Sequence, residues 1–212
     1  MKKHILCFGD SNTHGYCADP RDSIDGGVRF NEDERWTCLL GKALGDEYLV
    51  IEEGLSGRTT VFDDPFTEGL SGLNYIYPCM KTHEPISLLI IMLGTNDTKE
   101  RFSANPTCIS IGLERLIKKA KTTSAWANKP NILIIAPPHI HPEHSDAAMG
   151  PGCSEKSRAL APLYSAVAER LGCAFLDAEG VAEFNNIDHM HLTQKGHSSL
   201  AQKLAEIIVE LI

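Results

Sequence analysis

"HILCFGDSNTHGY", residues 4–16, sets an apolar run directly against Gly-Asp-Ser, and the reading of that run decides the fold. A short apolar stretch that ends at a glycine turn reads as a strand buried on both faces. Four more stretches have the same character: YLVIEE (48–53), SLLIIMLG (87–94), NILIIA (131–136) and CAFLDA (173–178). Between them apolar residues recur at helical spacing. Trp36, Leu39, Leu40, Ala43 and Leu44 form one set; Ile109, Leu113, Leu116, Ile117 and Ala120 a second; Leu160, Leu163, Tyr164, Val167 and Leu171 a third. A closing helix carries Leu200, Leu204, Ile207, Ile208 and Leu211 on one face, with Thr193 ahead of it as N-cap. Strand and helix alternate, which predicts one three-layer α/β/α domain over residues 1–212 with a five-stranded parallel sheet of flavodoxin-like type. Two stretches, 54–80 and 137–154, are rich in Gly, Pro, Asp and His and read as long loops, too polar for core and suited to shaping a site.

Composition narrows the function classes. The chain has 212 residues, 42% hydrophobic and 23% charged, enough for a full-sized core. Twenty basic against 28 acidic residues give a net charge of −8, and no basic stripe interleaved with aromatics is present, so nucleic acid is not expected as a partner. The first ten residues, MKKHILCFGD, are too short in apolar length for a signal peptide or a membrane span, so a cytoplasmic address away from the membrane is expected. Cysteines at 7, 17, 38, 79, 108, 153 and 173 are odd in number and contain no CxxC pair, which reads as reduced, mostly buried thiols, Cys7 and Cys17 included. The oligomeric state stays open, a homo-oligomer included.

In open parallel sheets ligands sit outside the carboxyl ends of the strands. Those ends carry Gly9-Asp10-Ser11, Glu53-Gly54, Gly94-Thr95-Asn96-Asp97 and Pro137-Pro138-His139, and the loop after the fifth strand carries Asp188-His189-Met190-His191. A serine, an amide and an imidazole with a nearby carboxylate are therefore directed to one edge. Acyl transfer needs a hydroxyl that attacks, an imidazole that takes its proton, a carboxylate that orients the imidazole, and N–H groups facing the oxyanion. Ser11, His191 and Asp188 can fill the first three roles, since a residue three beyond Asp188 can fold back on it. The Ser11 N–H, Gly54 and Asn96 can face the oxyanion.

GDSN at 9–12, Gly54 within EEGLSGRTT, GTND at 94–97 and DHMH at 188–191 together resemble the four ordered blocks of the GDSL/SGNH hydrolase family. The wording of GLSGRTT and MLGTNDT is similar to its arylesterase and acyltransferase branch. The resemblance implies Ser11 as nucleophile, Asp188 and His191 as its partners, and Ser11, Gly54 and Asn96 as the oxyanion hole. Asn12 stands where the GDSL name has leucine, and His14 where that branch typically has tryptophan.

Other readings fit less. Gly-Asp-Ser can be a plain turn or helix cap, but the three companion blocks go with a nucleophile. GxxxxGK[ST] and GxGxxG are absent, so a phosphate loop is not indicated, and GLSGR places its second glycine too early for a GxSxG elbow. His139, His141 and His144, with His189 and His191, lack companion ligands at recognisable spacing and read as structural or solvated, so neither metal nor cofactor is expected. Phe62, Phe66, Tyr75 and Tyr77 suit either a pocket or the anchoring of a loop. The expected activity is a serine esterase acting on small, short-acyl esters through an acyl-enzyme. A carbohydrate O-acetyl esterase is the alternative within enzymes, and a non-catalytic ligand-binding relative is the alternative outside them.

Overall fold

The computed structural model describes residues 1–212. Its five strands are β1 (Lys3–Gly9), β2 (Tyr48–Gly54), β3 (Ile86–Met92), β4 (Ile132–Ala136) and β5 (Ala174–Asp177). All neighbours pair in parallel, in the order β2-β1-β3-β4-β5. That is the flavodoxin-like order the alternation of elements predicts.

The apolar runs of the central strands β1, β3 and β4 are continuous because both faces of the sheet are covered there, whereas β2 and β5, expected as buried strands too, contain no buried residue because each lies at an edge with a neighbour on one side only. Leu6 and Phe8 of β1, Leu89 and Ile91 of β3, and Ile132 and Ile134 of β4 enter one core. The residues between them, Ile5, Cys7, Leu88, Ile90, Leu133 and Ile135, enter the other. The first core is closed by α3 (Gly72–Thr82), α4 (Pro106–Thr122) and α6 (Leu160–Leu171), the second by α2 (Trp36–Leu44) and α7 (Gln194–Leu211). Each fully buried Ile or Leu stabilises the sandwich by roughly 1.5–3 kcal/mol, so these runs dominate the energetics. Thr193 caps α7 as its position predicts, its hydroxyl accepting the Gly196 N–H at 2.9 Å. No helix is long and apolar enough to cross a membrane.

Two departures from the sequence reading lie in the stretches taken as loops. Residues 72–82 form α3, and Ile76, Cys79 and Met80 on it are fully buried. Gly72 and Pro78 lower the local helix preference, but the inward face packs on the sheet, and packing outweighs propensity. Cys153–Arg158 forms α5, which overlaps the end of the second stretch. What remains irregular, residues 55–71 and 137–152, lies at the carboxyl edge of the sheet together with a four-residue helix, α1 (Ser11–His14).

Candidate active site

Strand β1 ends at Gly9, and the chain turns at once into α1. Asp10 caps that turn, its carboxylate accepting the Asn12 N–H at 3.0 Å, and Gly15 ends it with a φ of 86°. Ser11 thus occupies the first helical position, with its hydroxyl at the sheet edge. Burial raises the Asp10 carboxyl to about 6, against the pull of the Asn12 N–H and of the charges on His191 and Arg58.

The histidine comes from the turn after β5. Asn185 builds that turn: its Oδ1 accepts the N–H groups of Ile187 at 2.8 Å and Asp188 at 2.9 Å. Its Nδ2 donates to Asp188 Oδ1 at 3.0 Å and to the His191 carbonyl at 2.8 Å. Asp188 Oδ1 also accepts the N–H groups of Met190 at 3.1 Å and His191 at 3.2 Å. Its other oxygen lies 2.6 Å from His191 Nδ1, and His191 Nε2 lies 2.9 Å from Ser11 Oγ. Burial alone would raise the Asp188 carboxyl, but the His191 hydrogen bond and charge, with Met190 and Asn185, bring it down to about 2. An ionised Asp188 accepts a hydrogen bond from Nδ1–H and so fixes that tautomer, which leaves the Nε2 lone pair facing the serine hydroxyl. The Tyr16 ring lies beside this imidazole, centroids 4.5 Å apart.

The third component is the loop after β2. Arg58 anchors it by donating from Nη1 to the carbonyls of Gly9, at 3.0 Å, and Glu53, while its guanidinium sits 4.3 Å above the Phe8 ring. Asp97, in the turn that follows β3, anchors it from the other side: the carboxylate accepts the Thr60 N–H at 2.9 and 3.1 Å and also the Thr60 hydroxyl. Burial raises Asp97 to about 7 in spite of the Thr60 hydrogen bonds. Asn96, next to it, donates from Nδ2 to the Arg58 carbonyl at 3.2 Å and lies 3.5 Å from Asp10.

These elements enclose a cleft of ≈ 390 Å³ lined by Ser11, Asn96, Asp188, His191, Tyr16, Met149, Met190, Ser56, Gly57, Lys99 and others. Of the five residues singled out in the sequence, four line it. Gly54 does not. It lies under α1, where a Cβ would meet His14 N at 2.1 Å and the Thr13 carbonyl carbon at 2.5 Å, so its lack of a side chain serves the close approach of β2 and α1. The glycine at the cleft is Gly57, three residues on, with a φ of 88° and an N–H that donates to no protein group. Spacing could not separate these two glycines, because the strand boundary lies between them.

His14 sits against Gly54 rather than in the cleft. Phe62 and Tyr75 anchor their segments, stacking on Phe102 and Phe8, while Phe66 and Tyr77 are exposed. Two groups gather metal-type donors within 4.8 Å of one another: Glu53, Cys79 and His83, and His141, Glu143 and His189. The first is a hydrogen-bonded set, with His83 Nε2 at 2.8 Å from Glu53. Neither contributes an atom to the Ser11–His191–Asp188 relay. His139 pairs with Glu179, and His144 lies 3.0 Å from Cys153 Sγ.

Comparison with known proteins identifies the family and the fold. The profile of the GDSL-like lipase/acylhydrolase family matches residues 7–198. Among solved structures, the native aryl esterase of M. smegmatis superposes with a TM-score of 0.90 at 38% identity, covering 99% of this chain and 100% of that one. A carbohydrate acetylesterase from Sinorhizobium meliloti does so with a TM-score of 0.90 at 35% identity and 100% coverage of both chains. A lipolytic G-D-S-L family member from Veillonella parvula, 19% identical over 99% of this chain and all of its own, shares the fold with a TM-score of 0.70. A search of curated protein sequences gave no match.

Proposed function

Since the chain belongs to the GDSL-like lipase/acylhydrolase family and is an ester-hydrolysing enzyme, we propose that Ser11, His191 and Asp188 carry out that hydrolysis through an acyl-enzyme. The observation that carries this reading is the unbroken relay of 2.6 Å from Asp188 to His191 and 2.9 Å from His191 to Ser11. Ser11 Oγ attacks the ester carbonyl carbon as its proton passes to His191 Nε2, and Asp188 balances the imidazolium so formed. The carbonyl oxygen becomes an oxyanion facing the N–H groups of Ser11 and Gly57 and the amide of Asn96, with Gly57 taking the part first given to Gly54. Collapse of this intermediate breaks the bond to the alcohol, which leaves with the proton from His191. Water, deprotonated by the same imidazole, then releases the acid and restores Ser11.

The substrate is a small ester with a short acyl group. A carbohydrate O-acetyl ester is a second reading, favoured by Ser56, Lys99 and Asp146 in the cleft wall, which can meet the hydroxyls of a polyol leaving group. Seven unpaired cysteines accord with a reducing compartment, and we place the reaction in the cytoplasm.

Labelling with a fluorophosphonate, followed by peptide mass spectrometry, tests the assignment. The label is expected on Ser11, and Ser11→Ala should lose both label and turnover while staying folded. A label on Ser56, Ser71 or a cysteine would overturn it. A panel of aryl esters and acetylated sugars separates the two substrate readings.

A further inference from the structure

The residue after the serine has no part in the chemistry above, yet every hydrogen-bonding group it owns is engaged and it is 1% exposed. Asn12 N–H donates to Asp10 Oδ1 at 3.0 Å, and its carbonyl accepts the Trp36 indole N–H at 3.1 Å. These two bonds fix its backbone to the cap of α1 and to α2. Its side chain reaches 178 and 180 residues along the chain: Nδ2 donates to the Met190 carbonyl at 3.1 Å, and Oδ1 accepts the Leu192 N–H at 2.9 Å. The two partners sit on either side of His191. Because one is an acceptor and the other a donor, they also determine which way round the amide lies.

We propose that Asn12 is a positioning residue that sets the distance between Ser11 and His191 by gripping both peptide neighbours of the histidine. This rests on the reading of Ser11 and His191 as the working pair. The internal geometry of the 185–191 turn is held by Asn185 and Asp188. Those bonds orient the imidazole within its own turn and leave the placement of the turn against α1 to other contacts. Asn12 supplies that contact next to the nucleophile. A leucine, the residue for which the GDSL motif is named, has similar size and can make neither bond, so this chain fixes its Ser–His separation by a polar clamp where a leucine could only pack.

The function follows from how steeply proton transfer depends on distance. A misplacement of about 1 Å can cost on the order of 10²-fold in rate. Loosening the clamp should lower the chemical step in acylation and deacylation alike, since His191 serves both. Substrate binding should change little, because Asn12 does not line the cleft.

The test compares the native enzyme with Asn12→Leu and Asn12→Asp, each normalised by active-site titration with a phosphonate so that only folded, reactive sites are counted, and with Ser11→Ala at equal concentration of folded protein. Asn12→Leu should lose about 10- to 100-fold in kcat per titrated site, with KM within about twofold of native. Asn12→Asp keeps the bond to Leu192 and turns the other into a contact between two oxygens. It should fall between native and Asn12→Leu, and it decides the matter if the leucine variant does not fold. A role confined to stability would lower the number of titratable sites and leave kcat per site unchanged. Native kcat per site in both variants, or a rise in KM alone, would overturn the proposal. Activity retained by Ser11→Ala would instead overturn the reading of the working pair.

Discussion

The imidazole of His189 stacks on that of His141, ring centroids 5.0 Å apart, although its neighbour in the chain is the carboxylate that grips His191. The positive φ of 62° at His189 turns the chain between Asp188 and Met190, so consecutive side chains diverge and the third folds back. His191→Ala should therefore lower kcat by on the order of 10⁴-fold or more, while His189→Ala keeps most of it. A chelator should alter neither rate. The reverse ranking, or a chelator effect that zinc restores, would move the chemistry to the His141–Glu143–His189 group.

Asn96 lines the same cleft as Ser11 and Gly57, whose N–H groups donate to no protein group, and in the mechanism proposed above it faces the oxyanion with them. A donor that strengthens in the transition state acts on kcat. Asn96→Ala should lower kcat on the order of 10²- to 10³-fold with KM nearly unchanged. Steady-state kinetics on a p-nitrophenyl ester decides this, and a change confined to KM would make Asn96 a substrate-binding group instead.

Gly54 packs directly under α1. An alanine there drives its Cβ into the backbone at His14 N, 2.1 Å away, and backbone cannot step aside as a flexible side chain can. Gly54→Ala should destabilise the fold by about 1–3 kcal/mol, read as a lower denaturation midpoint. An unchanged midpoint with a collapse of kcat would return Gly54 to the oxyanion site.

His197 on α7 is fully buried, accepts the Trp36 N–H at 3.3 Å through Nδ1, and packs edge-on to Phe30. Burial, with the charges of Arg35 and His191, lowers its pKa to about 3. The unfolded chain takes up this proton near pH 6.5 and the folded chain only near 3, so its contribution to stability is complete above 6.5 and is lost as pH falls through that window. Asp10 and Asp97, raised by burial to about 6 and about 7, act in the opposite direction, since the folded state holds their protons longer. The measurement is therefore a difference. Between pH 6.5 and 4, Tm should fall more for the native protein than for His197→Gln, which cannot charge. Parallel curves would mean that His197 is protonated in the folded state.

The apolar residues of the cleft are few, with Tyr16, Met149 and Met190 set among Asp146, Lys99 and Ser56. Each buried methylene of an acyl chain adds roughly 0.8 kcal/mol only where apolar wall exists to receive it. For p-nitrophenyl esters, kcat/KM should peak at acetyl to butyryl and decline beyond. A continued rise through octanoate to palmitate would reveal a channel for long chains.

The central strands β1, β3 and β4 were legible in the sequence because burial on both faces demands runs of apolar residues, and the edge strands β2 and β5 because shorter apolar runs recur between the helical stretches. Ser11, Asp188 and His191 could be singled out because a strand end and a three-residue return are local features. Helix α3 could not be read, since Gly72 and Pro78 lower the helix preference of the segment and only packing on the sheet makes up for it. Nor could Gly57 be told from Gly54, because which glycine lies at the cleft depends on where β2 stops pairing with β1. The grip of Asn12 on Met190 and Leu192, of Asp97 on Thr60 and of Arg58 on Gly9 and Glu53 joins segments far apart in the chain. Hydrogen bonds of this kind leave no period or spacing in a sequence, so the placement of Ser11 against His191 to within tenths of an ångström was decided by the tertiary structure alone.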